Sequence, residues 1–190
     1  DAGKSTILTL NLKTLEYEPK QKVKFATLEL TKSIDNLRKR MKVLVSGTDK
    51  AGEFYRKAFY GLFQYVSNRV PEISDDIYKI DDALKAGFAW ELGPFETWDA
   101  LGVKESVKAM EEAGLKPAQW VYDMLDSGVE SFYQLKEGVK TCYRIEEKAA
   151  GEIPGIGCFI MLDNLRENRT VWSNSGSTII DIGDGILNLE

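Results

Sequence analysis

The sequence predicts a mainly α fold, a compact array of about six helices with short β-hairpins at both ends, and three observations lead there. Helical periods fill the middle of the chain and are punctuated by glycine and proline. Runs of period two flank them on both sides. A composition of 43% hydrophobic and 29% charged residues over a length of 190 suits a packed domain.

The run from Ser5 to Phe25 alternates around Lys13-Thr14 and reads as a hairpin that Pro19 ends. Ile34, Leu37, Met41 and Leu44 then recur at helical spacing behind Thr31 or Ser33 as N-caps, until Gly47. A longer helix starts near Asp49, with Ala51, Phe54, Tyr55, Ala58, Leu62 and Val66 on one stripe and Phe59 and Phe63 beside it, and stops before Pro71. Ser74 is expected to cap the next helix, with Asp75 and Asp76 in its first turn, Ile77, Ile80 and Leu84 on its inner face and Gly87 as its stop. Gly93-Pro94 starts a helix through Trp98 to Leu101, since proline suits the first helical position. Further helices run from Val103 to Ala113 and from Pro117 to Gly128. FYQLKEGVKTCYRIEE is a second hairpin turning on Glu137-Gly138, and STIIDIGDGILNLE a third turning on Gly183-Asp184-Gly185. The first two hairpins share a lysine near the turn and a closing proline, a weak internal repeat.

A net charge of -5 offers no general attraction to nucleic acid or anionic membrane. No apolar run approaches the roughly 18 residues of a membrane span, and the expected location is cytoplasmic. Cys142 and Cys158 read as two buried reduced thiols, with a disulfide as the alternative. Without any histidine or closely spaced cysteine pair, no metal site is expected. Asp1-Ala2-Gly3-Lys4-Ser5-Thr6 looks like the end of a phosphate loop, but a strand pattern follows where a helix is required. Gly155-x-Gly157 likewise opens no helix, so a dinucleotide site is unsupported. No catalytic residue is assigned: Glu96 and Asp99, three apart on one helix, are read as supports of a turn rather than as an acid-base pair. Trp90 and Trp98 could wall an apolar pocket or fill the core.

The run DDALKAGFAWELGPFETWDALGV resembles the C-terminal domain of NAD-dependent 3-hydroxyacyl-CoA dehydrogenases of fatty acid β-oxidation. Asp81 or Asp82, Ala83, Gly87, Gly93, Pro94, Phe95, Glu96, Asp99 and Gly102 fill the places of that family's motif, and Ser131, Phe132 and Tyr133 those of its closing strand pair. The resemblance implies a helical domain of the 6-phosphogluconate-dehydrogenase C-terminal type over residues 26–154. It also implies that residues 1–25 are the tail of a preceding copy, and that residues 155–190 are a linker leading into an enoyl-CoA hydratase/isomerase-like domain. The catalytic histidine-glutamate pair and the NAD-binding loop would lie on a Rossmann domain that these residues do not include. Where the family has a Gly-Phe-x-x-Asn-Arg motif this chain has Tyr55 and Arg56, so the asparagine's role is not carried over.

Trp90, Leu92, Gly93, Pro94 and Phe95 are therefore expected to line an acyl-CoA cleft or an interface, and Glu96 and Asp99 to hold their turn. The partners implied are the acyl-CoA substrate, a Rossmann domain and a first helical copy. Homodimerisation stays open, as does a purely bracing module that never meets substrate.

Overall fold

In the computed structural model, which describes residues 7–136, 139–154, 160 and 162–190, the opening alternation folds into a small hairpin. Strand β1 (Leu8–Leu10) pairs antiparallel with β2 (Tyr17–Pro19). The Asn11 side chain closes the turn by accepting from the amides of Lys13 and Thr14. The phosphate-loop look-alike, Gly155-x-Gly157, Cys158 and the Glu137-Gly138 turn lie outside the described residues.

A short helix that periodicity does not reveal, α1 (Ala26–Thr31), precedes α2 (Leu37–Ser46). Thr31 cannot cap α2, because it ends α1 and its hydroxyl bonds back to Leu28 O at 2.9 Å. Asn36 is the cap instead, accepting from Lys39 N at 2.9 Å, and Gly47 stops the helix as expected. The long helix α3 (Lys50–Arg69) begins behind Asp49, whose carboxylate accepts from Gly52 N at 3.0 Å and from the backbone N–H and hydroxyl of Thr27 at 3.0 and 2.8 Å. Those donors pull its pKa down to about 2 and join the starts of α1 and α3. Arg56 reaches back to the carbonyls of Val45 and Gly47, satisfying the C-terminal end of α2.

The buried stripe of α3 keeps Ala51, Val66 and the flanking Phe63 of the expected one but shifts elsewhere. Ala51, Tyr60, Phe63, Val66 and Ser67 face inward, while Phe54 and Ala58 are exposed. With aromatic residues on several sides, the period alone fits more than one face.

Helix α4 (Ile77–Phe88) starts one residue after Asp76, so Asp75 and Asp76 precede it. Ser74 pairs with the backbone of Asp76, and the Asp76 carboxylate takes Arg144 at 2.6 Å and Lys79 at 2.9 Å. The helix runs past Gly87 and ends at Ala89, in the left-handed region at φ 54°. Helix α5 (Pro94–Leu101) begins on its proline as expected and meets α6 (Val103–Glu112) at Gly102. Helix α7 (Gln119–Asp126) follows, starting two residues after Pro117.

Beyond α7 the chain forms β3 (Tyr133–Lys136), β4 (Val139–Arg144) and an additional strand, β5 (Ala149–Glu152), in one antiparallel sheet. After α8 (Leu162–Arg169), a second antiparallel sheet joins β6 (Thr170–Ser173), β7 (Thr178–Gly183) and β8 (Ile186–Leu189). Its last turn uses positive φ at Gly183, Asp184 and Gly185.

The main core lies under α3, α5, α6, α7 and the β3–β5 sheet. Phe63, Phe95, Trp98 and Phe132 are fully buried at its centre. Phe63 stacks on Trp98 with centroids 4.7 Å apart, and Phe95 meets Phe132 edge-on at 5.1 Å. Such pairs add about 0.5–1.5 kcal/mol each beyond burial. Cys142 is buried among them as a free thiol. Among the described residues, no helix is long and apolar enough to cross a membrane.

Gly102 ends α5 and begins α6 with φ 96°, and a Cβ placed on it would overlap the Glu105 carboxylate. Gly102→Ala is expected to cost about 1–2 kcal/mol from the backbone conformation alone. Urea denaturation checks this: an unchanged midpoint would show that the α5–α6 junction relaxes freely.

Candidate functional site

The stretch between α4 and α5 is held by three carboxylates, each satisfied by named donors. Asp81, fully buried one turn beyond Ile77, accepts from Phe95 N and Glu96 N at 2.9 Å each, so it caps the amides at the start of α5 from a neighbouring helix. Its second oxygen also accepts from the Tyr133 hydroxyl at 2.9 Å. Asp99, one turn further along α5, accepts from Phe132 N and Tyr133 N at 2.8 Å each and so fixes the first residue of β3. Glu96 reaches back to Gly93 N at 3.0 Å and receives Lys140 of β4 at 2.6 Å and Lys85 of α4 at 3.2 Å. Lys140 also lies 4.6 Å from the centre of the Tyr133 ring.

Burial pushes Asp81 up to about 7 against the pull of its three donors, and does the same to Asp99 against two backbone amides. Glu96 is also penalised by burial, yet Lys140, Gly93 N and Lys85 hold it below the usual glutamate range. Burial and the adjacent Asp81 and Glu96 keep Tyr133 far above an ordinary phenol, so it remains a donor. These groups are saturated by internal partners, an arrangement that positions backbone rather than transfers protons.

The seven residues singled out from the sequence separate into two sets. Trp90, 41% exposed, and half-buried Leu92 line an open apolar cavity of about 250 Å³, together with Leu37 and Met41 of α2, Phe59 and Leu62 of α3, Glu91 and Thr97. Gly93, Pro94 and Phe95 are buried, with Phe95 in the aromatic core, and Glu96 and Asp99 form the polar network. Trp98 is fully buried, its indole N–H without a hydrogen-bond partner among the described residues. Sequence reasoning missed Lys85 and Lys140, for which distant carboxylates supply no local signal. The choice between Asp81 and Asp82 was readable: Asp81 lies four residues after Ile77 on the inner face, whereas Asp82 is exposed and pairs with Lys85 at 3.0 Å. Among the described residues no group of Cys, Asp or Glu is placed to hold a metal ion.

Fold and site together define a helical packing unit, with a carboxylate-fastened corner and a shallow apolar pocket. In sequence the chain is similar to part of longer proteins that carry 3-hydroxyacyl-CoA dehydrogenase and fatty acid oxidation names. It is 38% identical, over 97% of its length, to a Bacillus subtilis protein named as a probable 3-hydroxyacyl-CoA dehydrogenase, of which it spans 23%. Over half of the chain it is 30% and 33% identical to proteins of Rickettsia prowazekii and Rickettsia felis named as fatty acid oxidation complex trifunctional enzymes, spanning 12% of each. No family model matches the chain, and no solved structure matches it.

Asp81→Asn leaves one oxygen to serve three donors, so a buried N–H or hydroxyl loses its acceptor and the expected loss is about 1–3 kcal/mol. A Cβ at Gly93 would overlap the Asp81 carboxylate, so Gly93→Ala is expected to destabilise through the same contact. The pH dependence has a defined sign. Asp81 and Asp99 titrate near 7 when folded and near about 4 when unfolded, so folding takes up protons and stability falls as pH rises between those values. Glu96, lowered on folding, contributes stability that is lost as pH falls through its range. Denaturation at pH 5 and pH 8 should show a lower midpoint at pH 8 and a smaller difference in Asp81→Asn; equal differences in both proteins would count against Asp81 as the titrating group.

Proposed function

We propose that this chain is the helical, substrate-side part of a 3-hydroxyacyl-CoA dehydrogenase of fatty acid β-oxidation, an enzyme that oxidises 3-hydroxyacyl-CoA to 3-ketoacyl-CoA with NAD. The observation that carries this reading is the 38% identity along nearly the whole chain, together with a structural use for each carboxylate of the motif, Asp81, Glu96 and Asp99. In this reading residues 26–154 are a domain of the 6-phosphogluconate-dehydrogenase C-terminal type. Residues 1–25 belong to a preceding copy, and residues 155–190 lead into a hydratase-like domain. That the described residues within 7–25 and 160–190 supply nothing to the main core cluster supports the division.

NAD does not fit the residues of this chain. The sheets among the described residues are antiparallel, and no parallel strand turns through glycines into a helix whose N-terminus could meet a pyrophosphate. With no histidine in the sequence either, hydride transfer is assigned to a Rossmann domain outside these residues. The work of this chain is to bind and position. Asp81 and Glu96 fix the 89–93 segment, and Trp90 and Leu92 present the apolar wall that would face substrate or a neighbouring domain in the cytoplasm.

A second reading, a brace that never touches substrate, is favoured by the burial of Pro94 and Phe95. The two separate on Trp90, because Trp98 is fully buried and cannot report ligand. The 190-residue chain alone is expected to form no NADH from 3-hydroxyacyl-CoA and NAD. In the longer protein that carries it, Trp90→Ala is expected to raise KM for acyl-CoA several-fold with kcat little changed. NADH formation by the chain alone would overturn the assignment of chemistry to another domain, and an unchanged KM would leave the brace.

A further inference from the structure

From the polar groups left unused around a second cavity, we infer that this chain binds a small aliphatic zwitterion, an α-amino acid of leucine size, between α2, α3 and the α5–α6 junction. The site shares no residue with the cavity under Trp90, and the inference does not rest on the dehydrogenase reading.

This second cavity holds about 350 Å³, within the roughly 300–1,000 Å³ of small-molecule sites. Its walls include Lys42 and Val45 of α2, Tyr60 of α3, Leu101 at the end of α5, and Glu105 and Ser106 near the start of α6. Ser106 is 3% exposed and Tyr60 8%, yet neither hydroxyl makes a hydrogen bond among the described residues. Thr27, Thr31 and Ser67, buried to a similar degree, all bond through their hydroxyls. Buried hydroxyls need partners, so those that Ser106 and Tyr60 lack belong in the cavity they line.

Lys42 and Glu105 bring opposite charges to the same cavity, and neither pairs with the other or enters any ion pair among the described residues. Opposite charges that close on each other leave nothing for a ligand. Held apart around one cavity, they complement a molecule that bears both signs. A carboxylate on Lys42 and an ammonium on Glu105 would leave an aliphatic side chain to lie against Val45 and Leu101. The two hydroxyls can donate to that carboxylate or accept from that ammonium. A ligand of one sign leaves one wall charge without a partner, so both signs are selected together.

Titration of the 190-residue chain with leucine, 4-methylpentanoate and 3-methylbutylamine, read from the amide NMR shifts of Val45 and Ser106, tests this. The last two are leucine without its ammonium and without its carboxylate. Leucine is expected to shift both amides saturably and to bind about three- to tenfold more tightly than either analogue, as one exposed charge contact implies. Lys42→Gln is expected to weaken leucine and 4-methylpentanoate by a similar factor but not the amine. Glu105→Gln is expected to weaken leucine and the amine but not the acid. Lys42 and Glu105 are exposed, and circular dichroism confirms that the variants stay folded. The inference is overturned by no saturable shift with leucine, by an analogue that binds as tightly as leucine, or by leucine affinity unchanged in either charge variant.

Discussion

The corner between α4 and α5 depends on one buried carboxylate. Asp81 holds two amides at the start of α5 and the hydroxyl of Tyr133, so it fixes how a helix begins and where β3 attaches. Without it, Gly93-Pro94 would still favour a helix start, but the start would lose the two buried bonds that tie its amides to α4. Asp99 repeats the device one turn later, holding the amides of Phe132 and Tyr133. Phe132 thereby enters the ring cluster of Phe95, Trp98 and Trp120. Hydrogen bonding sets the geometry, and apolar burial supplies most of the stabilisation.

The pocket follows from the same constraint. The 89–93 segment leaves α4 through a left-handed Ala89 and is gripped at Gly93 by Glu96. With both ends set, Trp90 and Leu92 are held against α2 and α3. Glu96 in turn depends on Lys140 across the sheet and on Lys85 behind it. The shape of the pocket wall is therefore linked to the β3–β4 hairpin, although none of its described residues lines the pocket.

Much of this was legible in the sequence, for physical reasons. The start of α3 near Asp49, the proline start of α5 and the glycine stops at Gly47 and Gly102 are local chemistry, and they appear where expected. The importance of Glu96 and Asp99 was visible from the motif, while their partners Lys85, Lys140 and Phe132 N were not, because those contacts cross 11, 44 and 33 positions. Helix α1 was missed because a six-residue helix shows less than two turns of period. The inner face of α3 was only partly legible, with Phe54 and Ala58 exposed and Tyr60 buried, because its aromatic residues surround the helix and only packing selects among them. Trp90 and Phe95, grouped in the sequence, lie five residues apart across a turn, and one lines the pocket while the other fills the core.

Buried charges can often be replaced by apolar residues of similar size without loss of stability, because desolvation offsets attraction. That argument does not extend to Asp81 or Asp99. Their partners are chiefly backbone amides at the start of α5 and of β3, which cannot be mutated away and would be left buried without an acceptor. Glu96 differs, since two of its three partners are lysine side chains that could be replaced along with it, leaving only Gly93 N to be satisfied. The aspartates are thus required by the backbone, and the glutamate by the shape of the segment that carries Trp90.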